Sequence, residues 1–235
     1  MQFNSFSYIL LFLPLTAAVY FLASRYRVYA GKLALVLAGA VFYALGGWKS
    51  AVVLAVSLAV NFAFAKAMKK TSVPGRALLA VPVVLNAALL FVFKYTGFVL
   101  TNLNALGASF ALPELMLPLG ISFFTFQTMS YTVDVYRGQV EPQRNLVSFG
   151  AYVALFPQLI AGPIVRYRDV ARELETRKHS LEDIGLGLRR FVIGLAKKMI
   201  LADNLALLGN LYRQSTAPSV VFAWLYALSF MLNIY

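Results

Sequence analysis

The side chains best placed for chemistry in this 235-residue chain sit inside apolar sequence, where polar groups are expensive. One stretch, LMLPLGISFFTFQTMSYTVDVYRG (115–138), sets Ser122, Thr125, Gln127, Thr128, Ser130 and Thr132 among aromatic and aliphatic neighbours and leads to Asp134. Hydroxyls and amides in such a setting mostly bind a neighbouring helix. Gln127 and Asp134 are the candidates for more, because an amide can orient a substrate and a carboxylate can hold or move a proton. Asp134 also has a simpler use, an ion pair with Arg137 three residues on. A second stretch, FPQLIAGPIVRYRD (156–169), interrupts an apolar block with Pro157, Gly162 and Pro163. Proline removes a backbone donor, and glycine loosens helical geometry. Gln158 either caps backbone freed by Pro157 or lines a path for substrate.

Other chemistry is excluded by what is missing. With no cysteine, disulfides, iron–sulfur ligation and thiol catalysis drop out. His179 is the single histidine and lies between Lys178 and Ser180 beside Arg177, which reads as a solvated loop without metal-ligand partners. No glycine-rich phosphate loop, zinc spacing or nucleophile elbow occurs. No metal site and no catalytic residue are therefore assigned within the 235 residues.

The elements that must position these groups follow from composition. A chain 60% hydrophobic and 13% charged is too apolar for an ordinary soluble domain. Its apolar residues come in blocks rather than alternating, as a bundle of spanning helices requires and a barrel does not. The expected fold is all-α, a polytopic transmembrane helix bundle. Spans are expected near 8–23, 33–45, 51–65, 77–100, 115–133 and 217–235. The block at 33–45 reaches only about 20 Å, so flanking residues must snorkel or the bilayer must thin. The first block has no basic residue before it, so it reads as a retained span rather than a cleaved signal. The last block, 217–235, stops without a polar boundary, so the sequence is expected to be the N-terminal part of a longer single membrane domain.

Net charge of +12 suggests nucleic acid, but Lys and Arg gathered at helix ends face anionic lipid instead. Arg25, Arg27 and Lys32 follow the first block, Lys66, Lys69, Lys70 and Arg76 the third, and Arg137 and Arg144 the fifth. Positive loops stay inside, which puts the N-terminus outside. The alternation breaks at 146–165, where Arg144 precedes the block and Arg166, Arg168 and Arg172 follow it. A re-entrant hairpin is expected there, because broken backbone at membrane depth must be buried in protein or line a cavity. At 180–203, Leu181, Ile184, Leu188, Phe191, Val192, Leu195 and Met199 form one face, and Arg189, Arg190, Lys197 and Lys198 the other. That pattern predicts a cytoplasmic amphipathic helix along the membrane surface, started by a capping box at Ser180 and Asp183.

The stretches at 117–138 and 156–169 resemble signature segments of the membrane-bound O-acyltransferases, in the branch of bacterial alginate O-acetylases and the related D-alanine transfer proteins. The resemblance extends over the whole chain, and the Pro-Gln-x-x-x-Gly-Pro run is its most specific part. It implies a multi-pass protein of the bacterial cytoplasmic membrane that hands an acyl group, here acetyl, across the bilayer. The implied donor is a cytoplasmic acyl thioester, acetyl-CoA or an acyl carrier protein, with no bound cofactor. The implied acceptor is an extracytoplasmic polysaccharide, reached with an extracytoplasmic acyltransferase or esterase-like partner. The family's essential histidine belongs to a later span, expected beyond Tyr235. His179 does not match it, so the 235 residues alone are expected to be inactive.

Within that reading, Gln127, Asp134, Pro157, Gln158, Gly162 and Pro163 are candidates for the acyl path or re-entrant element. Arg166, Arg168, Lys197 and Lys198 are candidates for docking an anionic donor. Two other readings compete: a transporter or channel fragment, in which broken helices are common, and a non-catalytic membrane scaffold subunit. Against transport, no inverted repeat is visible and intramembrane charges are few.

Overall fold

The computed structural model describes residues 5–69, 75–113, 115–158, 163–177, 179–216 and 219–234. Helices joined by turns and irregular connections make up the described residues, and no strand occurs among them. Contacts divide the chain into two units, one of Ser7–Arg177 and one of Lys178–Tyr235 with Gln2–Phe6.

The first unit opens with four helices long and apolar enough to cross a membrane: α1, Ser7–Tyr26; α2, Val28–Leu45; α3, Trp48–Ala67; and α4, Gly75–Ala105. Each runs past the apolar block that announces it. With 18 residues, α2 spans about 27 Å, close to the hydrocarbon thickness, so the short block at 33–45 needs no thinned bilayer. The extension takes in Lys32, whose side chain turns into the protein rather than out to solvent. The 31-residue α4 carries Pro82 and a π-helical turn at Phe91–Tyr95, both established causes of bending. Outward faces of these helices are apolar, as with Leu11, Leu15, Val52 and Val84, which suits lipid as solvent.

Two shorter helices form the core of this unit. Gly120, in the left-handed region at φ 65, turns the chain into α5, Ile121–Tyr136. Residues 115–118 are not helical, so the expected block at 115–133 begins as irregular chain. The Asn145 side chain accepts from Val147 N at 2.8 Å and starts α6, Leu146–Val153, whose last six residues are all buried. A single 3₁₀ turn follows at Phe156–Gln158, and α7 occupies Tyr167–Thr176. Between α5, α6 and α7, the Tyr131 ring lies tilted against Phe149 and edge-on to Tyr167, with centroids 4.5 and 4.9 Å apart.

The second unit contains α8, Leu181–Ala196, a π-helical stretch Lys197–Ala202, α9, Asp203–Gln214, and α10, Val220–Ile234. The predicted cap is present: Ser180 Oγ accepts from Asp183 N at 3.0 Å and donates to Asp183 Oδ2 at 2.5 Å. No residue of α8 is buried, and Leu181, Leu188 and Val192 on its apolar face are exposed. Ser229 and Asn233 of α10 donate to Leu205 O and Ala202 O, fastening α10 along α9 and the π-helical stretch.

Candidate functional site

Helix α5 buries nine of its sixteen residues, and most of its polar ones are among them. Seven residues separate Gln127 from Asp134, two helical turns, which places them on one face. Gln127 Nε2 donates to Tyr152 O on α6 at 3.2 Å, so its amide serves packing at one end. Asp134 is 4% exposed, and its Oδ2 has no hydrogen-bond partner. The ion pair with Arg137 does not form. Helix α5 ends at Tyr136, and Arg137 caps it as an exposed residue while the carboxylate points into the bundle. Thr125 Oγ1 is likewise buried without a partner on this helix.

The block at 146–165 has its two ends side by side. Gln143, just before it, donates from Nε2 to the Tyr167 hydroxyl, just after it, at 2.9 Å. Gln143 N also donates to the Tyr131 hydroxyl at 2.8 Å, and Tyr152 Oη donates to Val165 O at 2.8 Å. Burial among these groups pushes the Tyr167 phenol above the usual range, so it stays a neutral donor and acceptor. Within the block, Pro157 and Pro163 are exposed, Gln158 is half-buried with its Nε2 unpartnered, and Gly162 lies outside the described residues.

The basic candidates fall in both units. Arg166 and Arg168 belong to the first unit, Lys197 and Lys198 to the second. Arg168 pairs with Asp169 at 3.4 Å, and Lys198 Nζ is held by both carboxylate oxygens of Asp203 at 2.6 and 2.7 Å. Among the described residues no group of His, Asp and Glu is arranged to hold a metal ion.

Two polar clusters escaped the sequence reading. In the first, Asn86 Nδ2 on α4 donates to Asn61 Oδ1 on α3 at 2.9 Å, and Thr132 on α5 donates to the same oxygen at 3.1 Å. A lone Asn in an otherwise apolar run is the signal that pointed to it. The second gathers Lys32 of α2, Ser148 of α6 and Glu175 of α7: Lys32 Nζ lies 2.9 Å from Ser148 Oγ and 3.3 Å from Glu175 Oε1. Nothing in local spacing foretells it, because its members are 27 to 143 positions apart.

No protein-family profile matches the chain, and no solved structure is similar to it. Curated sequences are. The probable alginate O-acetylase of Pseudomonas syringae pv. tomato is 36% identical over the whole chain, which covers 46% of that protein. The corresponding protein of Pseudomonas aeruginosa is also 36% identical, again with 46% of its length covered. The peptidoglycan O-acetyltransferase of Helicobacter pylori is 32% identical over 99% of the chain and 50% of its own length. The chain thus spans about half the length of the curated relatives it matches.

Proposed function

We propose, from the premise that this chain is of the membrane-bound O-acyltransferase type, that it forms part of an enzyme acetylating hydroxyls of an extracytoplasmic polysaccharide. The observation that carries this reading is the alignment of the entire chain with alginate and peptidoglycan O-acetyltransferases. The donor in this reading is a cytoplasmic acetyl thioester, acetyl-CoA or an acetylated carrier protein. The protein lies in the bacterial cytoplasmic membrane with its N-terminus outside, and an extracytoplasmic acyltransferase or esterase-like partner completes transfer to the polymer.

The geometry supports a route for the acyl group. The hydrogen bond from Gln143 to Tyr167 holds the two flanks of 146–165 together, as a re-entrant element demands. Such a broken segment survives at membrane depth when protein surrounds it, and α6 is buried on all sides. The exposed, basic-and-apolar α8 suits the cytoplasmic membrane surface. Asp134 and Gln127 lie on the buried face of α5 and add polar atoms to an interior that also holds Thr125, Thr128 and Thr132. No proton transfer is assigned to them, because acetyl transfer needs a nucleophile or base near neutral pH and none is assembled among the described residues.

The direct test is inactivation of the coding region followed by NMR of the extracellular polysaccharide. Loss of O-acetyl esters, restored by the intact gene, is the expected outcome; an unchanged acetyl content rejects the reading. Docking of the donor is tested separately by R166Q, R168Q, K197Q and K198Q in combination. Weaker transfer with a flatter salt dependence is expected, and unchanged affinity and salt dependence removes the docking role.

A further inference from the structure

A cleft of about 560 Å³ opens beside Lys32, between α2, the 141–145 connection, α6 and α7. The Lys32 side chain is only 9% exposed, yet it carries a full ammonium into this cleft. A buried charge is costly unless it is paired and hydrogen-bonded. Its pairing is incomplete: two of its three donors have partners among the described residues, Ser148 Oγ and Glu175 Oε1. Glu175 is a movable partner, with a side chain 55% exposed in the last turn of α7. The same Glu175 oxygen also accepts from Gln143 Nε2 at 3.1 Å, a neutral contact that a carboxylate can give up to water.

The cleft itself sets two cations, Lys32 and Arg144, against two carboxylates, Glu141 and Glu175, and the neighbouring cleft tips the region toward an anion. Glu141–Arg144 also lines a second cleft of about 400 Å³, shared with Lys66 and Lys69. Across both clefts the cations are Lys32, Lys66, Lys69 and Arg144, and the carboxylates are Glu141 and Glu175. Lys69 is tied to Glu141, and Lys32 to Glu175, so Lys66 and Arg144 remain without a carboxylate among the described residues. Three elements bring donors to the wall of the cleft: Lys32 from α2, Ser148 from α6 and Arg144 from the connection. A tetrahedral anion with three acceptor oxygens uses donors in that arrangement better than a planar carboxylate does.

We infer that this cleft is a phosphate site, in which a phosphate ester displaces Glu175 from Lys32 and is held by Lys32, Ser148 and Arg144. The same chemistry belongs to the phosphates of a nucleotide-linked thiol cofactor and to an anionic lipid headgroup. The site stands on its own geometry and does not depend on acetyl transfer.

Calorimetric titration of the protein in phosphatidylcholine discs with coenzyme A tests the first source; native mass spectrometry from discs containing phosphatidylglycerol tests the second. Binding of either probe at one site is expected, weakened about tenfold in K32M and several-fold in R144Q. E175Q is expected to bind several-fold more tightly, because it removes the resident competitor and leaves the cations. A merely structural Glu175 gives the opposite sign, so this variant decides the matter even if K32M fails to fold. The inference is overturned if neither probe binds, if K32M binds like the parent, or if E175Q binds no better.

Discussion

At the scale of single residues, the interior of the first unit is organised by polar atoms that lipid cannot satisfy. Asn61 is 1% exposed and exchanges hydrogen bonds with Asn86 while accepting from Thr132, so one amide links α3, α4 and α5. Removing it orphans two partners, whereas removing both amides leaves an apolar seam with fewer unmet groups. We therefore expect N61L to cost about 1–2 kcal/mol, and N61L/N86L to cost less than the sum of its single variants. Unfolding in mixed micelles measures this, and strict additivity would show that the two amides act independently. The contrast with Asp134 shows what sequence makes legible. Gln127 and Asp134 stood out as polar groups in apolar surroundings, and both are buried on one face of α5. The pairing with Arg137 had correct spacing, but spacing holds only within a continuing helix, and α5 stops at Tyr136. Asn61 and Asn86 carried the same polarity signal singly, without a neighbouring cluster to draw notice.

At the scale of elements, the order of apolar blocks anticipated the four long helices, while their ends did not follow hydropathy. Helix α2 starts at Val28, after an extended Arg27, and so takes in Lys32, whose partners Ser148 and Glu175 belong to other elements and are invisible in local sequence. Packing along α2 also depends on small residues. A Cβ built on Gly39 meets Ala154 O at 2.2 Å, and that oxygen is backbone that cannot rotate away. A Cβ on Gly31 meets Ser24 Oγ at 2.0 Å, the end of a side chain with other rotamers. G39A is expected to lower stability by about 1–3 kcal/mol by forcing α2 from the end of α6. G31A should cost less, since Ser24 yields and alanine favours a helix by up to about 1 kcal/mol. Thermal unfolding of the two variants in the same detergent gives the ranking, and equal losses would mean that α2 is not closely seated at Ala154.

For the molecule as a whole, the side of the bilayer that each loop occupies decides which groups can meet. Basic residues alternate with the first blocks, and alternation alone would send 146–165 across the membrane. The bonds from Gln143 to Tyr167 and to Tyr131 tie the flanks of that block to one place, in favour of a segment that enters and returns. The parent sequence contains no cysteine, so single cysteines can be introduced without first clearing a background. Cysteines replacing Arg144 and Arg166 are expected to react with a membrane-impermeant maleimide only after the inner face is exposed. Cysteines placed in the 106–113 segment should react from outside on intact cells. Labelling of positions 144 and 166 from opposite faces would make the segment an ordinary crossing, remove the returning element from the acyl route, and reverse the orientation of everything after it. Reaction of both from the inner face would put the Lys32 cleft, whose 141–145 wall includes Arg144, on the side from which the proposed thioester donor would arrive.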